Sequence, residues 1–356
     1  MTDAAEAGVA RRLSTLDRWL PLWIFFAMGL GLALGRAWPG LGAVLDRFTV
    51  AGVSVPIGVG LLWMMYPVLA KVKYESIGRH LDDHRLLGTS LLLNWVIGPL
   101  LMFGLAWLFL PDLPAYRNGL ILVGLARCIA MVLIWNSLAC GSNELAAVLV
   151  ALNSLFQIFT YSVLGWLFLT VVPGWFGAST AVLDISMGAI ARSVLIFLGI
   201  PLFAGWLTRK TLVRRRGEAW YEGTFLRRIG PTALLGLLYT IVLMFAMQGD
   251  RILDRPFDVL RIALPMIVYF VLMFGSGLLL ARRLGFGYPE TASLAFTAAG
   301  NNFELAIAVA VATFGIASGE AMAAVVGPLI EVPVLVSLVY VALWARRFFP
   351  AEAVAV

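Results

Sequence analysis

The chain has 356 residues, 61% of them hydrophobic and 13% charged, with mean hydropathy +0.93; soluble domains carry roughly 25% charged residues, so a water-soluble enzyme is excluded and a polytopic membrane protein is expected. The net charge of +6 and pI near 9.6 would suggest nucleic acid in a soluble chain, but here the bases sit in short loops between apolar runs, where the positive-inside rule accounts for them and no nucleic-acid partner is implied. Cys128 and Cys140 are the two cysteines, too few for a disulfide framework and wrongly spaced for a Cys-x-x-Cys zinc pair.

Residues 1–18 form a polar tail with Asp3, Glu6, Arg11, Arg12, Asp17 and Arg18. The apolar run after it is too long for a secretory signal and reads as a retained first helix. Apolar runs of about 20 residues then give ten predicted spans: 19–37, 51–70, 86–110, 119–138, 145–172, 185–208, 230–249, 258–281, 289–314 and 320–345. The tail and the loops after spans 2, 6, 8 and 10 hold 18 of the lysines and arginines, against six on the other side. This places both termini in the cytoplasm of a multi-pass protein of the plasma (inner) membrane. The expected organisation is all-α: a cytoplasmic tail 1–18, a five-helix repeat 19–172, a second 185–345 and a cytoplasmic tail 346–356.

In the first span Gly31 and Gly35 make a G-x-x-x-G helix-packing face. His80 and His84, in H-L-D-D-H, have metal-compatible spacing but no third ligand, and are read as a solvated loop. The connection from Arg209 to Arg228 mixes bases with Trp220, Tyr221 and Phe225; it reads as a topology-setting loop joining two halves, and its composition also suits an interfacial helix touching anionic lipid. No Gly-x-x-x-x-Gly-Lys-Ser/Thr loop occurs, and no histidine lies inside a span to serve Cys128 as a base. An enzyme is not expected, nor any cofactor or bound metal; a carrier driven by an ion gradient is.

Five spans on each side of the basic connection force the second set to enter the membrane from the opposite side, the condition for inverted repeats. Sliding the chain by 176 residues pairs Gly124 with Gly300, Ser142 with Ser318 and Glu144 with Glu320, and lays Cys128 on Glu304. Gly300, Asn301 and Asn302 interrupt their apolar run and read as a broken helix, the amides serving freed backbone groups. Its counterpart near Leu125 to Cys128 is less plainly broken. The fourth and ninth spans are thus expected as discontinuous helices crossing at the membrane midplane, where helix ends hold polar cargo.

Polar residues inside spans are costly, which makes them functional candidates. Glu304 is the leading proton-coupling acid and Glu331, between Pro328 and Pro333, a second. Cys128 and Arg127 sit opposite, while Asn94, Asn136, Asn153 and Gln157 are amides that serve a site or only bond across helices. Arg192 is a counterion for Glu331 or a side chain reaching to the interface. Cys140 has no such setting and reads as a small hydrophobe.

The runs R-C-I-A-M-V-L-I-W-N, A-V-L-V-A-L-N-S-L-F-Q, F-T-A-A-G-N-N-F-E-L-A-I-A-V-A and V-V-G-P-L-I-E-V-P-V-L-V, with L-N-W-V-I-G-P-L-L-M-F upstream, resemble the Acr3-type arsenite efflux permeases of the bile acid/sodium symporter superfamily. The resemblance implies export of arsenite, in some members also antimonite, in exchange for protons, with the essential cysteine at Cys128 and the essential glutamate at Glu304. Asn301, Asn302, Arg127, Asn94 and Asn136 complete the expected binding set. Ser137 and Ser142 stand where acidic residues are expected, near the cytoplasmic mouth. Sodium-coupled movement of an organic anion, and a ligand-sensing receptor without turnover, are the alternatives; oligomeric state is not legible.

Overall fold

A computed structural model describes residues 19–50, 53–72, 83–129, 131–176, 187–254, 256–315 and 318–349. The chain is almost wholly helical there. Thr49–Val50 and Val53–Ser54 pair antiparallel as a minimal hairpin, the one strand pair among the described residues. In an apolar surrounding a helix bonds its own backbone groups, which is why these sequences choose it.

The helices are α1 (Leu20–Ala37), α2 (Val55–Ala70), α3 (His84–Phe109), α4 (Pro114–Leu125), α5 (Met131–Leu138), α6 (Asn143–Trp175), α7 (Ile190–Arg216), α8 (Thr232–Asp254), α9 (Pro256–Arg283), α10 (Tyr288–Ala299), α11 (Phe303–Phe314) and α12 (Gly319–Ala345). Among the described residues, six helical stretches are long and apolar enough to cross a membrane: His84–Phe109, Asn143–Trp175, Ile190–Arg216, Glu218–Met247, Phe257–Arg283 and Gly319–Phe348. The chain is a multi-pass membrane protein. The fourth and ninth predicted spans are each two helices, α4 with α5 and α10 with α11.

Sequence punctuation explains the starts. Ser142 and Ser318 accept hydrogen bonds from Leu145 and Ala321 as N-caps of α6 and α12, and Asp83 caps α3 by accepting from Leu86. Prolines occupy the first turn of α1, α4 and α10, where a missing N–H costs nothing. Outward faces carry bulky apolar residues such as Phe26, Leu108, Phe159, Phe203 and Leu260, as a lipid-facing surface requires.

The helices pack in two groups. In one, α8 lies against α1 and α2, and α7 against α2; in the other, α3, α4, α6, α9, α10, α11 and α12 interlock, with α12 against α4, α9 and α11. The groups meet where α7 crosses α6 and α11. The G-x-x-x-G face of α1 does what its spacing implies. A Cβ at Gly31 would stand 2.6 Å from the Val242 carbonyl oxygen, and one at Gly35 would collide with that of Ala246, so α1 touches the backbone of α8. On one side of the membrane, Arg261 at the start of α9 pairs with Asp112 in the α3–α4 loop, and that hydrogen bond holds the Asp112 carboxyl below the usual carboxylate range.

His84 opens α3, while His80 lies outside the described residues. No group of three potential metal ligands occurs among the described residues.

Gly35→Leu is expected to destabilise the α1–α8 contact by about 1–3 kcal/mol and to lower the apparent melting temperature in detergent. Gly29→Leu should not, because a Cβ there meets nothing within 4 Å. Equal melting temperatures for the two variants would contradict this packing.

Candidate functional site

The site begins with four backbone groups. α4 stops at Leu125 because Ala126 turns extended (φ −83°, ψ 119°), and α10 stops at Ala299 because Gly300 does the same (φ −71°, ψ 143°). The two extended segments then run antiparallel with Arg127 opposite Asn301. The Cys128 N–H donates to the Gly300 carbonyl at 3.2 Å, and the Asn302 N–H donates to the Ala126 carbonyl at 3.1 Å. Each broken helix thereby satisfies groups that the other has released.

Side chains extend this reciprocity. Asn301 Nδ2 donates to the carbonyls of Val123 (2.8 Å) and Ala126 (3.1 Å) at the end of α4. Arg127 Nη1 donates to the Ala298 carbonyl (3.4 Å) at the end of α10 and to the Tyr269 hydroxyl (2.9 Å) on α9. Arg127 N–H donates to Gln157 Oε1 on α6 at 2.9 Å, and Asn301 N–H to Glu331 Oε1 on α12 at 3.1 Å. Tyr161 of α6 adds a bond to the Leu122 carbonyl at 2.9 Å. A cation with an amide beside it on one segment thus faces an amide with a carboxyl beside it on the other.

This exchange is two residues out of step with the 176-residue slide. Across the crossing Cys128 answers Asn302, not Glu304, and the position answering Glu304 is residue 130, outside the described residues. Glu304 lies in the first turn of α11, half-buried and in electrostatic contact with Glu331. The Cys128 side chain is buried against Gly300, where a Cβ would come within 2.9 Å of its own Cβ. Gly98 of α3 gives similar room to Arg127, since a Cβ there would lie 2.7 Å from Nη1.

Polar atoms around the crossing outnumber their protein partners. Arg127 is 0% exposed, yet its Nε and Nη2 find no acceptor. Asn302 Nδ2, Asn301 Oδ1, Gln157 Nε2 and, one turn before it on α6, Asn153 Nδ2 are also buried and unmatched. Asn94, in the π turn of α3 four residues before Gly98, spends Nδ2 on the Ser90 carbonyl at 2.9 Å and leaves Oδ1 unmatched. Each such group costs roughly 1–3 kcal/mol if it stays unsatisfied, so their presence on the crossing and the helices beside it marks a candidate binding site.

Other expected residues lie elsewhere. Asn136 accepts from Ser293 Oγ (2.8 Å) and donates to Asn143 (3.2 Å), pinning the α5–α6 turn to α10. That leaves it bonded at the turn, away from the crossing, because its helix ends there. Cys140 sits in that turn with φ 57°, partly exposed. Arg192 is exposed on α7 and is no counterion for buried Glu331. Tyr269 was not singled out in the sequence; a phenol in an apolar run carries no local signal of what it will meet.

The chain is similar to known membrane proteins along most of its length. The Sodium Bile acid symporter family profile matches residues 58–255. The chain is 54% identical over 354 residues to the arsenical-resistance protein Acr3 of Corynebacterium glutamicum, covering 99% of this chain and 96% of that one. It is 32% identical over 350 residues to the protein of the same name from Alkaliphilus metalliredigens, 95% of each, and 35% identical over 360 residues to an uncharacterized transporter of Synechocystis, 96% of this chain and 91% of that one.

Asn301→Ala removes two bonds to the end of α4 and is expected to cost about 2–3 kcal/mol. Asn302→Ala removes one cap bond, from Leu305 N–H, and should cost about 1 kcal/mol. Unfolding of the purified variants checks this order; an equal or larger loss for Asn302→Ala would contradict it.

Proposed function

The chain belongs to the Sodium Bile acid symporter family, alongside the Acr3 arsenical-resistance proteins, and on that premise we propose that it expels trivalent arsenic from the cell as arsenite in exchange for protons. It is a transporter and not an enzyme. The observation that carries the proposal is the crossing itself, where a buried thiol, Cys128, shares a backbone bond with a segment whose neighbours are the acids Glu304 and Glu331.

Arsenite near neutral pH is an uncharged, thiophilic triol. A soft sulfur suits its arsenic, and the unmatched donors and acceptors of Arg127, Asn94, Asn301 and Asn302 suit its hydroxyls. One thiol holds such a cargo reversibly, which release requires. Antimonite offers the same chemistry in a larger shell.

Arg127 lies on one extended segment, and Glu331, on α12, accepts from the Asn301 N–H of the other, so a cation and an acid flank the crossing from its two sides. Glu304, in the first turn of α11, is the acid assigned to the proton. Glu304 and Glu331 are the two acids in electrostatic contact beside the crossing. In the proposed cycle arsenite binds beside Cys128 from the cytoplasm, a proton arriving at Glu304 from outside displaces it, and the two helix groups rock against each other to alternate access.

This reading treats residues 19–172 and 185–345 as five-helix repeats of opposite orientation, with ten spans, the crossing at the midplane and both termini in the cytoplasm. The matching serine caps of α6 and α12 support it. So do the basic ends of α7 and α9 and the arginines of the turn that follows α12. Asn136 leaves the binding set and serves the inner turn. Sodium-coupled movement of an organic anion is the second reading, favoured by the buried guanidinium with two unmatched donors.

Arsenite uptake into everted membrane vesicles under an imposed proton gradient separates the two. Accumulation should follow the proton gradient without added sodium. Cys128→Ser and Glu304→Gln should each reduce it to background, and Cys140→Ser should leave it unchanged. Full transport by Glu304→Gln would sink the coupling role; a sodium requirement would favour the second reading.

A further inference from the structure

The connection between α7 and α8 is unused by the transport cycle and is built like a receptor for something negative. α7 closes at Gly217, whose φ of +83° lets the chain double back, its N–H donating to the Val213 carbonyl. The return segment is helical throughout: Glu218–Trp220, a π turn Tyr221–Leu226 and Arg227–Ile229. It is also fastened. Tyr221 is fully buried and donates to the Ala70 carbonyl, the last residue of α2, at 2.9 Å. Arg209, 4% exposed, pairs with Glu218 at 3.1 Å and stands 5.4 Å from the Tyr221 ring centroid. Phe225 stacks on both Tyr221 and Trp220.

The acids of this element are turned to internal work, Glu218 on Arg209 and Glu222 half-buried with an interaction of its own. The bases are not. Lys210, Arg214, Arg215, Arg216, Arg227 and Arg228 are exposed, and no ion pair engages them among the described residues. Two of them lie over indoles, Arg216 on Trp220 and Lys210 on Trp206, each at 4.7 Å. Two and three turns before Arg214 on the same helix, Leu207 and Phe203 are exposed.

We propose that this doubled-back segment and the end of α7 bind the headgroups of anionic phospholipids. Guanidinium forks match phosphate oxygens, indoles favour the headgroup level, and the adjoining apolar face of α7 continues into the depth where acyl chains lie. That continuity distinguishes a lipid from a free phosphate or a nucleic acid, which would meet no use for exposed Phe203 and Leu207. The site belongs entirely to the group of α2, α7 and α8, so bound lipid holds that group to the leaflet while the group bearing the crossing moves. Binding stands whatever the cargo proves to be.

The test uses the full-length protein and native mass spectrometry, with phosphatidylglycerol and phosphatidylcholine supplied in equal amounts. Retention should favour phosphatidylglycerol, and each arginine removed in Arg214→Gln, Arg215→Gln, Arg227→Gln and Arg228→Gln should weaken it by roughly fivefold. Equal retention of the two lipids by the unaltered protein, or an undiminished preference in the fourfold variant, would overturn the proposal. If the fourfold variant does not fold, a salt titration of the unaltered protein decides: the preference must fall as salt rises, and indifference to salt overturns it. Displacement of phosphatidylglycerol by millimolar inorganic phosphate would reassign the site to a soluble anion.

Discussion

Two helices that stop inside an apolar protein each strand backbone N–H and carbonyl groups, and a buried unpaired group of this kind costs several kcal/mol, roughly what a whole hydrogen bond is worth there. Neither break is tolerable alone. Placed antiparallel, the segments exchange Cys128 N–H for the Gly300 carbonyl and Asn302 N–H for that of Ala126, and each makes the other possible. Everything near the site follows from that exchange: Gly300 must be small to admit Cys128, Asn301 must span the gap to α4, and Gly98 must leave room for the arginine.

The exchange is symmetric in its backbone and asymmetric in its charge. Arg127 and Asn301 each cap the opposite broken helix, while Gln157 and Glu331 receive the two backbone N–H groups. A cation at a helix C-terminus is favoured by the dipole of α10, which gives the guanidinium a structural reason to be buried and leaves Nε and Nη2 over. Arg127 is therefore divided: Nη1 is bonded to α9 and α10, and Nε and Nη2 have no protein partner. The same division recurs at Asn301, whose amide nitrogen is committed to α4 and whose oxygen is not.

Around this centre the two helix groups differ in what holds them. The α1–α8 contact is backbone against backbone across Gly31 and Gly35, a close fit that resists sliding. The group bearing the crossing is joined to it mainly where α7 meets α6 and α11.

Much of this was legible in the residues. Composition and the lengths of the apolar runs determined a helical multi-pass protein, because lipid leaves the backbone no other partner; the G-x-x-x-G spacing determined the face of α1 that packs; Gly300, Asn301 and Asn302 determined where α10 ends, since amides in an apolar run have to serve something. The break after Leu125 was faint, for Ala126, Arg127 and Cys128 are residues a continuous helix accepts. Only the partner segment makes them extended. The sliding offset likewise matched the helix starts at Ser142 and Ser318 but slipped by two residues at the crossing, where hydrogen bonding and not residue identity fixes the register. Asn94 and Asn136 look alike in sequence. Tertiary structure alone separates them, because a side chain's use depends on which unpaired atoms stand within 3 Å of it, and no spacing along one chain reports that.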